Sequence, residues 1–343
     1  MRQPKLEKRI LIVRTDRIGD VVLTLPMVSA IKEQLPNAKV IFMASSYTEP
    51  LARLADGINE VVLYDPNWSL ARRIRAFKDT HANFVFFPSP KPGLAIAAYL
   101  AGLTNRVGTG FRWYSVFFNH WIRDHRSTAN YNEADYNIRM LPGIGLRTPP
   151  TRLPTLRISN ELRDKAEQIL ASAFGERPER FAVLHIGTGG SSINWAAEQF
   201  VALSGELAQL YHLPILLTGT PPENEMLLRL SAEMKAIGAN VQVVTGVALP
   251  ELAAVLAKAD LVVAGSTGPG HLAAALGAPT IGLFPRLRVL SKERWGFRGK
   301  RVLNLTASQA PKVSCPDCKT CICMEKMSVA EIVKAASELL ASD

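Results

Sequence analysis

The sequence predicts an α/β fold composed of two doubly wound domains. Short apolar runs, such as RILIV at 9–13 and KVIFMA at 39–44, alternate with helix-like segments, as in parallel sheets covered by helices on both faces. The alternation begins again after a proline-rich segment at 147–156 that is typical of a linker. At 343 residues, the chain is longer than one hydrophobic core usually serves. We therefore expect an N-terminal domain at 1–150 and a C-terminal domain at 151–343, whose last helix is able to pack back on the first domain.

Each element of the first half follows from its residue pattern. Strands are expected where apolar, β-branched or aromatic residues cluster, and helices where small or amphipathic segments follow a turn. The predicted strands are 9–13, 39–44, 60–64, 83–87 and a short one beginning at 106–108. One predicted helix opens at 20, another shares the segment 45–55 with a loop, and two more cover 70–78 and 94–101.

The second half repeats this rhythm. No internal repeat of 20–50 residues is visible, but the two halves are of similar size and composition. The predicted strands are 181–185, 214–218, 241–244, 261–264 and an apolar run after 279, and the predicted helices are 160–174, 197–210, 226–236, 250–258, 271–276 and 329–340. A cleft between two such domains is the expected binding site.

The charge of the chain predicts anionic partners. The formal net charge is +10, which attracts phosphorylated substrates, anionic membrane surfaces or nucleic acid. Arginines are interleaved with aromatic residues at 105–126, where Arg112 and Arg123 are candidates for binding an anionic lipid acceptor. A partly buried aromatic helix with solvated arginines is the competing interpretation. We expect no nucleic-acid partner.

The apolar pattern argues against a membrane span. Charges interrupt every apolar run well before the roughly 18 residues that a spanning helix needs. The basic N-terminus runs directly into a strand and shows no apolar signal core. The expected location is therefore the cytoplasm.

All four cysteines fall within nine residues. A cytoplasmic chain is not expected to depend on disulfides, and four thiolates are able to hold zinc or an iron–sulfur cluster. The spacing is tighter than in zinc ribbons, where paired cysteines lie about 15–20 residues apart, so a reduced cysteine loop is preferred and no metal is expected. The candidate ligands are Cys315, Cys318, Cys321 and Cys323.

The first strand leads into a charged loop that carries the catalytic candidate. Asp20 follows Gly19 at the start of a helix, at the carboxyl edge of the predicted sheet. Arg14 and Arg17 lie beside it and would keep the carboxylate ionised or hold acceptor phosphates. The competing interpretation is structural, because aspartate is a favoured helix-capping residue.

Three loops of the second half, at 187–192, 218–225 and 265–271, are rich in Gly, Ser and Thr. All three follow strands, so they meet at one edge of a parallel sheet. The turn at 265–271 precedes a helix, so its backbone N–H groups and the helix dipole are able to face an anion. The loop at 187–192 lacks the lysine of a P-loop, and the first strand lacks GxGxxG, which disfavours NTPases and nicotinamide dehydrogenases.

Taken together, three motifs resemble the heptosyltransferase-like glycosyltransferases, family nine. They are Arg14-Thr-Asp-Arg-Ile-Gly-Asp20, Gly187-Thr-Gly-Gly-Ser-Ser-Ile-Asn-Trp195 and Ser266-Thr-Gly-Pro-Gly-His271, in that order. The resemblance implies a GT-B fold of two facing Rossmann-like domains, the first binding the acceptor and the second ADP-heptose. It also implies transfer of heptose, or a related sugar, to the core of lipopolysaccharide with inversion, and no cofactor beyond the ADP-sugar substrate. The location that it implies is peripheral, at the inner face of the inner membrane.

The resemblance also assigns roles to individual residues. Asp20 matches the general base of the family. Arg14, Arg17, Arg112 and Arg123 are expected on the acceptor side. The expected donor-binding residues are Thr188, Gly189, Glu223, Ser266, Thr267, Gly268 and His271.

Two positions differ from the usual family pattern. Ile193 stands where a lysine usually precedes the tryptophan, and Ser266 where an aspartate is often found. The alternative function is therefore a nucleotide-binding GT-B protein with another donor sugar or without transferase activity.

Overall fold

A computed structural model describes residues 8–150, 152–187, 189–190, 192–307 and 323–341. The chain divides into two compact units. Unit 1 comprises Met1–Arg126 and Glu133–Arg157, and unit 2 comprises Ser127–Asn132 and Ile158–Asp343. The short stretch Ser127–Asn132 thus belongs to unit 2, where the Asn132 side-chain amide donates to the carbonyl oxygen of Gly296 at 3.0 Å.

Unit 1 is built on a six-stranded parallel sheet. The strands are β1 (Arg9–Val13), β2 (Lys39–Ser45), β3 (Glu60–Tyr64), β4 (Phe84–Phe86), β5 (Asn105–Thr109) and β6 (His120–Ile122). Their order in the sheet is β3-β2-β1-β4-β5-β6. The central β1 is buried on both faces, which explains its uninterrupted apolar sequence.

Helices and short 3-10 turns connect these strands. They are α1 (Ile18–Val22), α2 (Leu25–Gln34), α3 (Glu49–Leu54), α4 (Leu70–Asp79), α5 (Pro92–Leu100) and α6 (Glu133–Ile138), with 3-10 helices at Trp113–Phe117, Arg126–Thr128 and Leu141–Ile144. Local residues define several starts: the Ser69 hydroxyl caps α4, and proline occupies the first turn of α2, α3 and α5.

Unit 2 repeats the topology with a second six-stranded parallel sheet. The strands are β7 (Ala182–His185), β8 (Ile215–Gly219), β9 (Val241–Thr245), β10 (Leu261–Gly265), β11 (Thr280–Leu283) and β12 (Val302–Leu305). Their order is β12-β11-β10-β7-β8-β9. In chain order this is the same arrangement as in unit 1, with the first strand of each unit at the centre.

The helices of unit 2 cover its sheet. They are α7 (Asn160–Phe174), α8 (Ala197–Tyr211), α9 (Asn224–Ala236), α10 (Leu249–Leu256), α11 (Gly268–Leu276), α12 (Lys292–Trp295) and α13 (Val329–Leu340), with 3-10 helices at Pro221–Glu223 and Arg288–Leu290. The last helix, α13, contacts α8, β10 and β11.

The segment predicted as a linker runs alongside unit 1. Leu156 forms an antiparallel bridge with Ala55, and the backbone N–H of Arg157 donates to the carbonyl of Leu54 at 2.8 Å. The boundary between the units therefore falls after Arg157 rather than at residue 150.

The two sheets confirm the predicted α/β class and the doubly wound organisation. Within the ranges that the structure describes, none of the helices combines the length and apolarity required to cross a membrane.

Candidate functional site

The functional residues of unit 1 lie at the point where the strand order reverses. β1 and β4 are neighbours in the sheet, and their connections leave toward opposite edges. Ligand crevices of doubly wound folds form at this position. The loop after β1 carries Arg14–Asp20, and Lys91, after β4, reaches it: the ammonium contacts Asp16 Oδ1 at 3.2 Å and Thr15 Oγ1 at 3.0 Å.

A buried guanidinium organises this loop. Arg14 is only 2% exposed, and three carboxylates surround it. Its Nη2 donates to Asp20, its Nε lies 3.2 Å from Asp16 Oδ2, and its Nη1 lies 3.5 Å from Glu133 Oε1. Burial alone would lower the pKa of Arg14, but these carboxylates more than offset burial, so the pKa is raised and the charge is retained.

Glu133 extends the network away from the loop. It begins α6 and is buried, and its Oε1 also pairs with the guanidinium of Arg126. Arg126 donates in turn to Asn137 Oδ1 at 3.1 Å. The position of Arg14, and through it that of Asp20, is therefore tied to residues more than a hundred positions away in the sequence.

Two carboxylates of this cluster keep partial access to solvent, since the side chain of Asp20 is 17% exposed and that of Asp16 is 19% exposed. Asp20 accepts hydrogen bonds from the Arg14 guanidinium and from the backbone N–H of Arg17 at 3.3 Å. The second bond caps α1, so the structural interpretation of Asp20 is present in the geometry. The same carboxylate is partly open to solvent and is held in position by the Arg14 guanidinium, so a hydroxyl can approach it.

The four arginines predicted on the acceptor side have different environments. Arg14 is buried under carboxylates, whereas Arg17, Arg112 and Arg123 are exposed. Sequence reasoning did not identify Asp16, Lys91 or Glu133 as part of the site. Asp16 stands inside the quoted motif, but no local signal marks Lys91 or Glu133, because they approach the loop only through the fold.

In unit 2 the strand order reverses between β7 and β10. These strands are adjacent, with Ala264 paired to His185, and β8 lies on the other side of β7. The three loops rich in Gly, Ser and Thr therefore follow adjacent strands β10, β7 and β8, as expected. Their carboxyl ends share one edge of the sheet.

Glu223 is held against the loop that follows β7. Its Oε2 accepts from the backbone N–H of Thr220 at 2.7 Å and from the Thr220 hydroxyl at 2.6 Å. Its other oxygen lies so close to Gly187 that a Cβ placed there would be 1.9 Å from Oε1. Burial raises the pKa of Glu223, but the Thr220 hydrogen bonds and His185 outweigh burial and lower it, so the carboxylate is ionised.

A buried histidine, His185, lies near Glu223 at the end of β7. The Nδ1 of His185 lies 3.0 Å from the hydroxyl of Thr218 on β8. Burial lowers its pKa to about 4, although Glu223 and Thr218 act in the opposite direction. His185 is therefore neutral near pH 7 and cannot neutralise Glu223.

The turn after β10 starts α11 as the sequence predicts. The Thr267 hydroxyl caps the helix by accepting from the Gly270 N–H at 3.3 Å, and Pro269 occupies the first turn. His271 N–H donates to the Thr267 carbonyl. Gly268 begins α11, so its N–H lies at the helix N-terminus, where the helix dipole favours a bound anion.

Phe297 packs against this turn, and the sequence did not predict its role. A Cβ on Gly270 would lie 2.2 Å from Phe297 Cζ, so only glycine permits this approach. The His271 ring meets Phe297 edge to face, with centroids 4.7 Å apart. The aromatic ring therefore fixes the first turn of α11.

His271 is buried, at 3% exposure, and its Nδ1 has no hydrogen-bonding partner among the described residues. Burial lowers its pKa to about 3. Near pH 7 the imidazole is neutral, so it can offer a hydrogen bond to a phosphate but not a positive charge.

Four of the predicted site residues lie outside the residues that the structure describes: Thr188, Cys315, Cys318 and Cys321. Gly189 is described and has φ +52°, a left-handed conformation that favours glycine. Cys323 is buried, and its sulfur accepts from the Arg286 N–H at 3.3 Å. Considering only what the structure describes, no cluster of three or more metal-ligating side chains is found.

The two neutral histidines predict acid sensitivity. The unfolded chain binds protons at these histidines below about pH 6.5, whereas the folded chain does so only near pH 3–4. Protons therefore favour the unfolded state, and the free energy of unfolding, which is at its full value above pH 6.5, decreases as the pH falls. Each histidine is expected to cost about 2 kcal/mol of unfolding free energy between pH 7 and pH 5. Urea unfolding at the two pH values measures this loss.

The matched variant for this test is His271→Asn. It is expected to lose about 2 kcal/mol less than the unchanged protein over the same pH interval. An identical pH dependence in both proteins would contradict a neutral, buried His271.

Comparison with known proteins adds a family to this geometry. The model of glycosyltransferase family 9 (heptosyltransferase) matches residues 91–322, a range that includes the unit 2 loops but not Asp20. A protein from Haemophilus influenzae, described as a candidate glycosyltransferase, is 26% identical over 302 residues, covering 84% of this chain and 85% of that one.

Solved structures share the fold over nearly the whole chain. A family 9 glycosyl transferase from Veillonella parvula superposes with a TM-score of 0.81 at 20% identity, covering 99% of each chain. E. coli ADP-heptose lps heptosyltransferase II superposes with a TM-score of 0.78 at 17% identity, covering 97% of this chain and 98% of that one. E. coli heptosyltransferase WaaC with ADP superposes with a TM-score of 0.69 at 21% identity, covering 96% of this chain and 99% of that one. These likenesses confirm the GT-B class of fold.

Proposed function

The chain belongs to glycosyltransferase family 9, the heptosyltransferases, and from this premise we propose that it moves a heptose, or a related sugar, from an ADP-sugar to a lipopolysaccharide core acceptor. The observation that carries the proposal is the partly exposed Asp20 carboxylate, held by buried Arg14 where the strand order of unit 1 reverses. The acceptor is an anionic glycolipid, which the enzyme meets by peripheral contact with the inner membrane.

In the proposed reaction Asp20 is the general base. The acceptor hydroxyl oxygen attacks the anomeric carbon of the sugar while its proton passes to the Asp20 carboxylate. The bond from that carbon to the diphosphate breaks on the opposite face, so the anomeric configuration inverts and ADP carries away the electron pair. Arg14 keeps the Asp20 carboxylate in place.

The donor side of the proposal uses unit 2. Glu223 is ionised and half-buried, so it is suited to accept hydrogen bonds from the ribose hydroxyls. The first turn of α11, with Gly268 N–H and the hydroxyls of Ser266 and Thr267, would stabilise the charge that grows on the departing diphosphate. Neutral His271 would contribute a hydrogen bond. Because these fixed dipoles supply the stabilisation, the proposal includes no cofactor.

One observation favours a second candidate function. The side chain of Ile193, which stands where the family usually has lysine, is partly buried and packs against the core of unit 2. It therefore provides no cation for a donor phosphate. A GT-B protein that binds another nucleotide sugar, or that binds nucleotide without transfer, is consistent with this position.

A panel of nucleotide sugars separates these functions. ADP and ADP-heptose are expected to raise the melting temperature, because a ligand that binds only the folded state stabilises it, and ADP-heptose with acceptor is expected to release ADP. Gly187→Ala should abolish much of the shift, because its Cβ displaces the Glu223 carboxylate. Loss of a charged hydrogen-bonding partner of ribose is expected to weaken ADP binding about tenfold or more.

The matched control is Gly205→Ala in α8, where a new Cβ would meet only the flexible end of Ile237 at 3.1 Å. This variant should bind ADP as the unchanged protein does. A melting shift with another nucleotide sugar and none with ADP compounds would support the second candidate. A rise in melting temperature with ADP-heptose but no release of ADP in the presence of acceptor would indicate a protein that binds nucleotide without transfer.

A further inference from the structure

Three large apolar side chains stand out from one end of the unit 1 sheet. Trp113 and Val116 are each 70% exposed, and Trp121 is 54% exposed. Isolated exposed apolar residues are ordinary on protein surfaces, but contiguous ones mark interaction sites. These three residues belong to the 3-10 helix Trp113–Phe117 and to the edge strand β6, and we call them the aromatic ridge.

The three side chains form one surface. Residues three apart in a 3-10 helix lie on the same side, so Trp113 and Val116 project together. The Trp121 indole N–H donates to the carbonyls of Ser115 and Phe118, each at 2.9 Å, which places its ring against the end of the same helix.

The aromatic ridge rests on a rigid base. Tyr114 is buried and donates from its hydroxyl to the Pro90 carbonyl at 2.9 Å. Phe118 is buried against Phe87, with ring centroids 5.2 Å apart. The Ser115 hydroxyl donates to the Thr109 carbonyl at 2.6 Å. The exposed indoles are therefore presented by an anchored element.

The charge around the ridge is positive. Asp124 is the one acid of the sequence at 105–126, and Arg139 neutralises it through two hydrogen bonds of 2.8 and 3.0 Å. Arg112 and Arg123, on either side of the ridge in the sequence, are exposed and form no ion pair with a carboxylate of the described chain. Two cations thus flank apolar rings without compensating charge.

We propose that the aromatic ridge docks on a bilayer containing anionic lipids. Tryptophan is preferred where apolar tails meet headgroups, and arginines near the surface attract anionic phosphates. A second copy of the chain would bring Arg112 and Arg123 toward identical cations, which the bilayer does not. The inference rests on the proposed function in one respect, that the acceptor is a membrane lipid.

The test uses the full chain and vesicles without any acceptor. Flotation is compared for vesicles of phosphatidylethanolamine with phosphatidylglycerol and for vesicles of phosphatidylcholine alone. The protein is expected to float with the anionic vesicles, less so as salt rises. The variant Trp113→Ala/Val116→Ser is expected to bind about tenfold more weakly, since binding scales with the apolar area inserted. Leu228→Ala, at an exposed apolar position on α9, serves as the control and should bind unchanged.

Two outcomes would overturn the proposal: no flotation of the unchanged protein with anionic vesicles, or equal flotation of the double variant. If the variant instead converts a dimer to a monomer at unchanged vesicle binding, the ridge serves a second copy and the proposal is wrong. ADP binding and ADP release are measured in parallel. If the unchanged protein neither binds nor releases ADP, the proposed function is wrong, but the flotation result still tests the docking of the aromatic ridge.

Discussion

Asp20→Asn is expected to lower the rate of sugar transfer about 10²–10⁴-fold, the usual contribution of a general base. The amide keeps the size of the side chain and an oxygen for the Arg17 N–H, so the start of α1 is preserved. It cannot take the proton of the acceptor hydroxyl. The loss should appear in kcat rather than in KM, as measured by ADP release with saturating ADP-heptose and acceptor.

Asp16→Asn is the matched control for this variant. Asp16 also lies beside the Arg14 guanidinium, 3.2 Å from Nε, and contacts Lys91. Its amide variant changes the same local charge by the same amount, yet it should keep most of the activity because Asp16 is not assigned to the proton transfer. Unchanged turnover in Asp20→Asn would reduce Asp20 to a helix cap.

Arg14→Met is expected to reduce the unfolding free energy of the protein by about 3 kcal/mol, because three carboxylates lose the cation that they share, while Arg126 and Lys91 compensate only part of their charge. Glu133 and Asp20 both contact this guanidinium, and Glu133 is itself buried. Methionine fills a similar volume, so the loss reports the charge rather than a cavity. Urea unfolding followed by intrinsic fluorescence measures it.

Arg17→Met provides the comparison, since Arg17 carries the same charge three residues away but is exposed. Its effect should stay within about 0.5 kcal/mol. The double variant Arg14→Met/Glu133→Gln should recover part of the loss, because it removes one of the three carboxylate charges that Arg14 faces. Equal stability of Arg14→Met and Arg17→Met would contradict a structural role for the buried cluster.

The central strands could be predicted because their burial leaves a direct record in the sequence. β1 and β10 are buried on both faces, and both appear as uninterrupted apolar runs. The edge strands β6 and β12 were missed, since their residues are at most partly buried and carry no such run. The stretch 105–126, for which an aromatic helix was one interpretation, instead forms β5, a 3-10 helix and β6.

Features of the site that depend on adjacent residues in a turn could be predicted from the sequence. The helix that starts in the turn at 265–271 and the position of Asp20 at the edge of the sheet follow from a few adjacent residues. Partners that meet through the fold leave no such signal. Glu133 is 119 positions from Arg14, and Phe297 reaches Gly270 from a separate loop. Nor does the sequence reveal that burial makes His271 neutral.

The placement of Ser127–Asn132 bears on how this family can be recombined. These six residues lie within the first 150 of the chain yet are part of unit 2, where Asn132 bonds to Gly296. A chimera joined at the proline-rich segment would therefore carry a small foreign patch into its unit 2. Exchange of an intact unit 2 between relatives calls for three splice points, one at each end of this stretch and one after Arg157.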